Sequence, residues 1–245
     1  MRRPIFTNDK INWKHALSEI AFIFIGISLA IWFQNWNDRI RDQELEQEYL
    51  RGFKHDLEWD QSRLNGFIVE ANQQMEQLDS ILVVLENGEV KDAGELRKFF
   101  FMNFFLTRET YFVPEKSTYN QLLSSSHGHV VQDKALKDRI FRYYTSAARE
   151  ENNNERSVQL YQHHWVTPNI INAIVPTKEG IDMNLELSNQ LPALSFNNLQ
   201  SNEDYLTALV VRREISNVQK KAYGNLLAPI DTILSRIDML IEDVK

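Results

Sequence analysis

A run of 20 residues from Leu17 to Trp36, LSEIAFIFIGISLAIWFQNW, constrains this chain more than any other feature. Between Ile20 and Phe33 it has no charged side chain, and Ser28 is its only polar one. A helix rises about 1.5 Å per residue, so about 20 apolar residues cross the hydrocarbon of a bilayer. The run therefore reads as one transmembrane helix. It divides the chain into a basic tail at 1–16, a membrane helix at 17–36 and a domain at 37–245. A cleaved signal peptide is the competing reading, because Arg2, Arg3, Lys10 and Lys14 lead into the run. However, its small-x-small pattern, Ser28-Leu29-Ala30, lies inside the apolar core, and helical sequence continues past Trp36. An uncleaved signal-anchor is the expectation.

The basic tail resists translocation, so the N-terminus is expected in the cytoplasm and the bulk outside the inner membrane, in the periplasm. Trp32 and Trp36, with Asn35 and Asn37 beside them, are placed to sit at the lipid headgroups of the far border. Glu19 marks the near border, where a carboxylate reaches water or a neighbouring Lys14 or His15. Gly26 and Ala30 form a small-xxx-small pair that lets two membrane helices pack closely.

Beyond Trp36 the chain is polar and periodic. Leu50, Leu57, Leu64, Ala71, Leu78 and Leu85 recur every seven residues. A second row of Phe53, Phe67, Ile68, Met75, Ile81 and Leu82 is interrupted by Asp60 and Gln74. With no proline between Asn37 and Leu85, the pattern predicts one helix continuing from the membrane for about 70 Å. A coiled-coil dimer would use a cleaner second row, so a bundle core shared with later helices is preferred. Asn87-Gly88 is the predicted break.

The later segments are shorter. A helix is expected over 93–106, where Phe99, Phe100, Phe101, Phe104 and Phe105 supply core packing. Tyr111-Phe112-Val113-Pro114 reads as an extended connection, followed by a helix capped by Ser117 or Thr118. Asp133 caps a further helix carrying Leu136, Ile140, Tyr143, Tyr144 and Ala147. Glu150 to Glu155 has no apolar face and reads as a solvated stretch or a break. Residues 168–200, with Pro168, Pro176, Gly180 and Pro192, read as loop. A last helix starts near Ser201 or Asn202, bends at Pro229, and carries the stripe Leu226, Ile230, Ile233, Ile237, Leu240, Ile241 and Val244. That stripe is expected to pack antiparallel or obliquely on Leu50, Leu57, Leu64 and Leu78.

At this point two blocks carry a resemblance. Glu19, Gly26-Ile27-Ser28-Leu29-Ala30 and Asn35-Trp36-Asn37 form the first, and Ser117-Thr118-Tyr119-Asn120-Gln121-Leu122-Leu123-Ser124-Ser125 with Asp133, Leu136, Ile140, Tyr143 and Tyr144 the second. Together they resemble a family of bacterial single-pass membrane proteins of unknown function, abundant in Bacteroidetes (DUF6090-like). The resemblance implies topology and bacterial origin, and assigns no activity. Ser126-His127-Gly128-His129 departs from the single glycine that this family's pattern has after the serines.

Composition excludes several classes of function. A net charge of -7 and a pI near 5.4 oppose binding to nucleic acid, which needs clustered Lys and Arg. The absence of cysteine removes disulfides, thiolate metal sites and a cysteine nucleophile. Ser124 to His129 holds hydroxyls and imidazoles, and His163-His164 a histidine pair, so a membrane-tethered hydrolase or metal-dependent enzyme is the alternative reading. Neither segment has a nucleophile elbow or a zincin spacing, and adjacent histidines on a helix diverge by about 100°. No residue is assigned to catalysis, metal or cofactor. The expectation is an all-α chain, one membrane helix running into an antiparallel helical bundle. Its expected work is binding or scaffolding at the bilayer, as a homo-oligomer or with another membrane or envelope protein.

Overall fold

The computed structural model describes residues 13–87, 111–165 and 199–242, with Glu95, Lys98, Phe99, Met102, Asn103 and Leu106; side chains at 14–16, 126, 158 and 160–165 are excepted. The helices are α1 (Trp13–Asn87), α2 (Ser117–Ser124), α3 (Lys134–Trp165), α4 (Glu203–Leu227) and α5 (Ile230–Glu242), with a 3-10 turn at Ser126–His129. No strand occurs among the described residues, and the fold is all-α. The basic tail before residue 13, Gly88, Phe100, Phe101, Phe104, Phe105, the stretch 168–198 and Val244 lie outside the described residues.

α1 is the organising element. Its 75 residues run unbroken for about 110 Å. The first part is long and apolar enough to cross a membrane, and from Leu17 to Asn37 every side chain is exposed on all faces of the helix. The second part carries the core. Leu50, Phe53, Leu57 and Leu64 are fully buried with Ile140, Tyr143, Tyr144 and Ala147 of α3, Leu226 of α4, and Ile230, Ile233 and Ile237 of α5. Leu78, Ile81 and Leu85 belong to a second core with Phe99, Leu106, Leu199, Tyr205, Ala208 and Leu209. Each such leucine or isoleucine contributes about 1.5–3 kcal/mol by leaving water.

Polar pairings along α1 fix the directions of its neighbours. Arg213 Nε donates to Asp79 at 3.2 Å, Gln61 Nε2 to Asp231 at 2.6 Å, and Lys54 Nζ to Asp238 at 2.6 Å. Position along α1 thus falls as position along α4 and α5 rises, so this pair is antiparallel. The Gln132 N–H donates to Glu46 at 2.8 Å and the Tyr143 hydroxyl to Asp60 at 2.7 Å, which sets α3 parallel to α1. α2 runs back toward the apolar end, with Thr118 near Asp56 and Ser125 near Tyr49. The antiparallel packing expected for the C-terminal stripe is present for Leu50, Leu57 and Leu64, whereas Leu78 meets α4 in the second core instead.

Four local expectations change. The run from Glu150 to Glu155 is neither solvated throughout nor a break: α3 continues to Trp165, and Asn154 is buried. Its amide oxygen lies 3.4 Å from both Gln219 Nε2 and the Tyr223 hydroxyl, so a tertiary polar partner replaces the apolar face. The last helix is two helices, divided at Pro229. This proline separates α4 from α5 by a two-residue turn, because it has no N–H to continue the ladder. α2 begins at Ser117 with Lys116 in the cap position and no side-chain cap of its own. Finally Asp60 and Gln74, which interrupt the second apolar row, are buried inside the bundle. Asn202 and Asp133 act as expected, accepting from Tyr205 N at 2.9 Å and Leu136 N at 3.0 Å.

Candidate functional site

Two carboxylates one turn apart on α1, Asp56 and Asp60, form the centre of the bundle's polar chemistry. Both are buried. Asp56 Oδ2 accepts from the Thr118 N–H at 3.0 Å, and its Oδ1 from the Ser117 hydroxyl at 3.1 Å. It therefore caps α2 from another helix, and the anion meets the positive end of the α2 dipole. Gly52, one turn earlier, makes this approach possible: a Cβ there would lie 2.7 Å from Thr118 Oγ1 and 2.9 Å from Cγ2.

Asp60 accepts from the Glu115 N–H at 2.9 Å and from the Tyr143 hydroxyl at 2.7 Å. Burial is the largest influence on its carboxyl and pushes the pKa up to about 6, against the two hydrogen bonds, which favour the anion. Burial and the nearby Asp60 charge push the Tyr143 phenol far above its ordinary range, and burial does the same for Tyr144. Tyr143 therefore stays a donor at every physiological pH. Tyr119 stacks on Tyr144 with ring centroids 4.5 Å apart, closing the layer from the α2 side.

A second polar layer stands between the two apolar cores. Gln74 Oε1 accepts from Arg212 Nη2 and from the Ser216 hydroxyl, both at 3.0 Å. All three residues are buried. Such layers set helix register, because sliding α4 along α1 would strand several buried donors at once.

The residues singled out in the sequence are distributed as follows. Ser125 Oγ and His127 Nδ1 both come within hydrogen-bond distance of the Tyr49 hydroxyl, at 3.2 and 3.1 Å. The Ser125 hydroxyl donates to the Leu122 carbonyl and accepts from the His127 backbone N–H, so its bonds serve the turn. Ser124 is exposed and donates to the Gln121 carbonyl, and His129 Nε2 lies 3.9 Å from Asp42. No described group of three His, Asp or Glu residues is placed to hold a metal ion. The side chains of His163 and His164 lie outside the described residues. Trp32 and Trp36 stack with centroids 6.5 Å apart on the exposed apolar segment, where Glu19, Gly26 and Ala30 are exposed as well.

Sequence reasoning missed Asp56 and read Asp60 as an interruption. The available signal was their i, i+4 spacing on the face that Phe53, Leu57 and Leu64 mark as buried. No family model matches the chain, and neither a curated protein nor a solved structure matches it.

Proposed function

We propose that this chain is a membrane-anchored helical scaffold or binding protein, held by one pass at Leu17–Trp36 and carrying its bundle outside the cytoplasm. One observation carries the reading: α1 runs without a break from a segment that exposes apolar side chains on every face into the core of a packed bundle. In water such a segment would leave several large apolar residues uncovered, whereas a bilayer covers them all. The stacked Trp32 and Trp36 then lie at the headgroups, and the unbroken helix transmits position and rotation from the membrane to the bundle. The likeness to the DUF6090-like family belongs to the same proposal, as do a homo-oligomer or a membrane or envelope partner.

The test is expression of the full chain in bacteria with a C-terminal reporter active only outside the cytoplasm, combined with alkaline extraction of membranes. Reporter activity in an extraction-resistant membrane fraction is expected. A chain released by alkali would remove the anchor, and an inactive reporter on a chain that stays in the extraction-resistant membrane fraction would reverse the orientation.

A further inference from the structure

A cleft of about 330 Å³ opens between α3 and the α4–α5 junction. One wall is α3, where Arg139, Arg142 and Ser146 follow each other at i, i+3 and i+7 on one face. The other wall is the Pro229 turn, with Asn225 and Thr232 at its rim. Tyr143, Leu226 and Pro229 give the floor an apolar patch. No carboxylate is among the residues that line it, although the chain carries a net charge of -7.

Three physical features point to the same ligand chemistry. Arg139 and Arg142 are exposed and lie one turn apart on α3, and a guanidinium fork suits the oxygens of a carboxylate or phosphate. Arg149 Nη2 lies 3.4 Å from Ser146 Oγ and extends the basic row by one more turn. On the opposite wall, Asn225 and Thr232 supply an amide and a hydroxyl, side-chain groups able to donate to an anion. The volume is at the lower end of the about 300–1,000 Å³ of small-molecule sites.

We infer that this cleft binds a small organic anion, its carboxylate or phosphate on Arg139 and Arg142 and its apolar body against Tyr143, Leu226 and Pro229. A lipid headgroup in the anchoring bilayer is out of reach. The cleft stands at the level of Asp60, which bonds Tyr143, about 36 Å along α1 from Trp36. The inference does not depend on the membrane orientation.

Isothermal titration of the full chain in a non-ionic detergent tests it, with phenyl phosphate and 4-phenylbutyrate as the two anionic probes, benzyl alcohol as the neutral one, and empty micelles as blank. Saturable binding of at least one anion is expected, with a loss of about tenfold or more in Arg139→Gln/Arg142→Gln. Thr232→Trp, at an exposed position, should block the cleft with the arginines intact, and Arg213→Gln on α4, which pairs with Asp79, should bind as the parent does. Helical content and melting of each variant are read in parallel. Binding by phenyl phosphate alone or phenylbutyrate alone assigns the anion class. Absence of saturable binding by both anions, equal binding of benzyl alcohol, or unchanged affinity in both cleft variants would overturn the assignment.

Discussion

The Tyr143 hydroxyl donates a 2.7 Å hydrogen bond to Asp60 across the α1–α3 contact, and both side chains are buried. The bond holds a carboxylate in the core, and the bundle pays for it in pH dependence. Because burial raises the Asp60 pKa from 3.8 to about 6, the folded state binds a proton more tightly than the unfolded chain does. Ionised Asp60 therefore costs stability above pH 6. That cost disappears as pH falls toward 4, up to a ceiling of about 3 kcal/mol.

The melting temperature of the full chain in detergent should accordingly rise between pH 7.5 and 5, and Asp60→Asn should flatten that rise. Below about pH 4 the profile turns over. Asp133, whose carboxyl the Leu136 N–H and Arg236 hold below the ordinary range, then loses the stability it contributes at higher pH. Equal slopes for parent and Asp60→Asn between pH 7.5 and 5 would place the proton elsewhere.

Asp56→Ala should cost about 1–3 kcal/mol, because it uncaps α2 and leaves the Thr118 N–H buried without its acceptor. Amide exchange measured by residue would show the effect first at 117–120, with α5 little changed. Uniform acceleration across the bundle would mean that the carboxylate supports the core as a whole.

Two glycines of α1 should respond with opposite sign. Gly66→Ala, with open space around the added methyl, should stabilise by about 0.5–1 kcal/mol through helix propensity. Gly52→Ala pushes into Thr118 and should destabilise by about 1–3 kcal/mol. Chemical denaturation of both variants reads the pair, and a stabilising Gly52→Ala would show that α2 is free to move aside.

Ile237 is fully buried in the core that Leu50, Leu57 and Leu64 build, and Glu242 is exposed at the end of α5. Ile237→Asp loses at least the about 2–5 kcal/mol of a truncation and adds a buried charge, so cooperative melting should be lost or shifted far down. Glu242→Ala should stay within about 0.5 kcal/mol. Circular dichroism melts of the full chain decide it; equal melting of both variants would detach α5 from the core.

What the sequence determined by itself is what periodicity and local chemistry encode. The apolar run at Leu17–Trp36 reports a helix apolar all round, and the seven-residue recurrence from Leu50 to Leu85 and the stripe from Leu226 to Ile241 report apolar helix faces, so helix existence, the all-α class and the buried rows were legible. Asn202 and Asp133 were legible as caps because a cap bonds within its own turn. The tertiary structure alone decided the fate of the polar residues. Asp60 and Gln74 read as interruptions, Asn154 as part of a solvated stretch or break, and Asp56 carried no mark of its own, since burial of a polar group depends on a partner far away in the chain. Tyr143 for Asp60, Arg212 for Gln74, Tyr223 for Asn154 and the whole N-terminus of α2 for Asp56 arrive only when the helices pack. The cleft at Pro229 has the same origin: one helix supplies its arginines and another its broken turn, and no spacing within either sequence brings the two walls together.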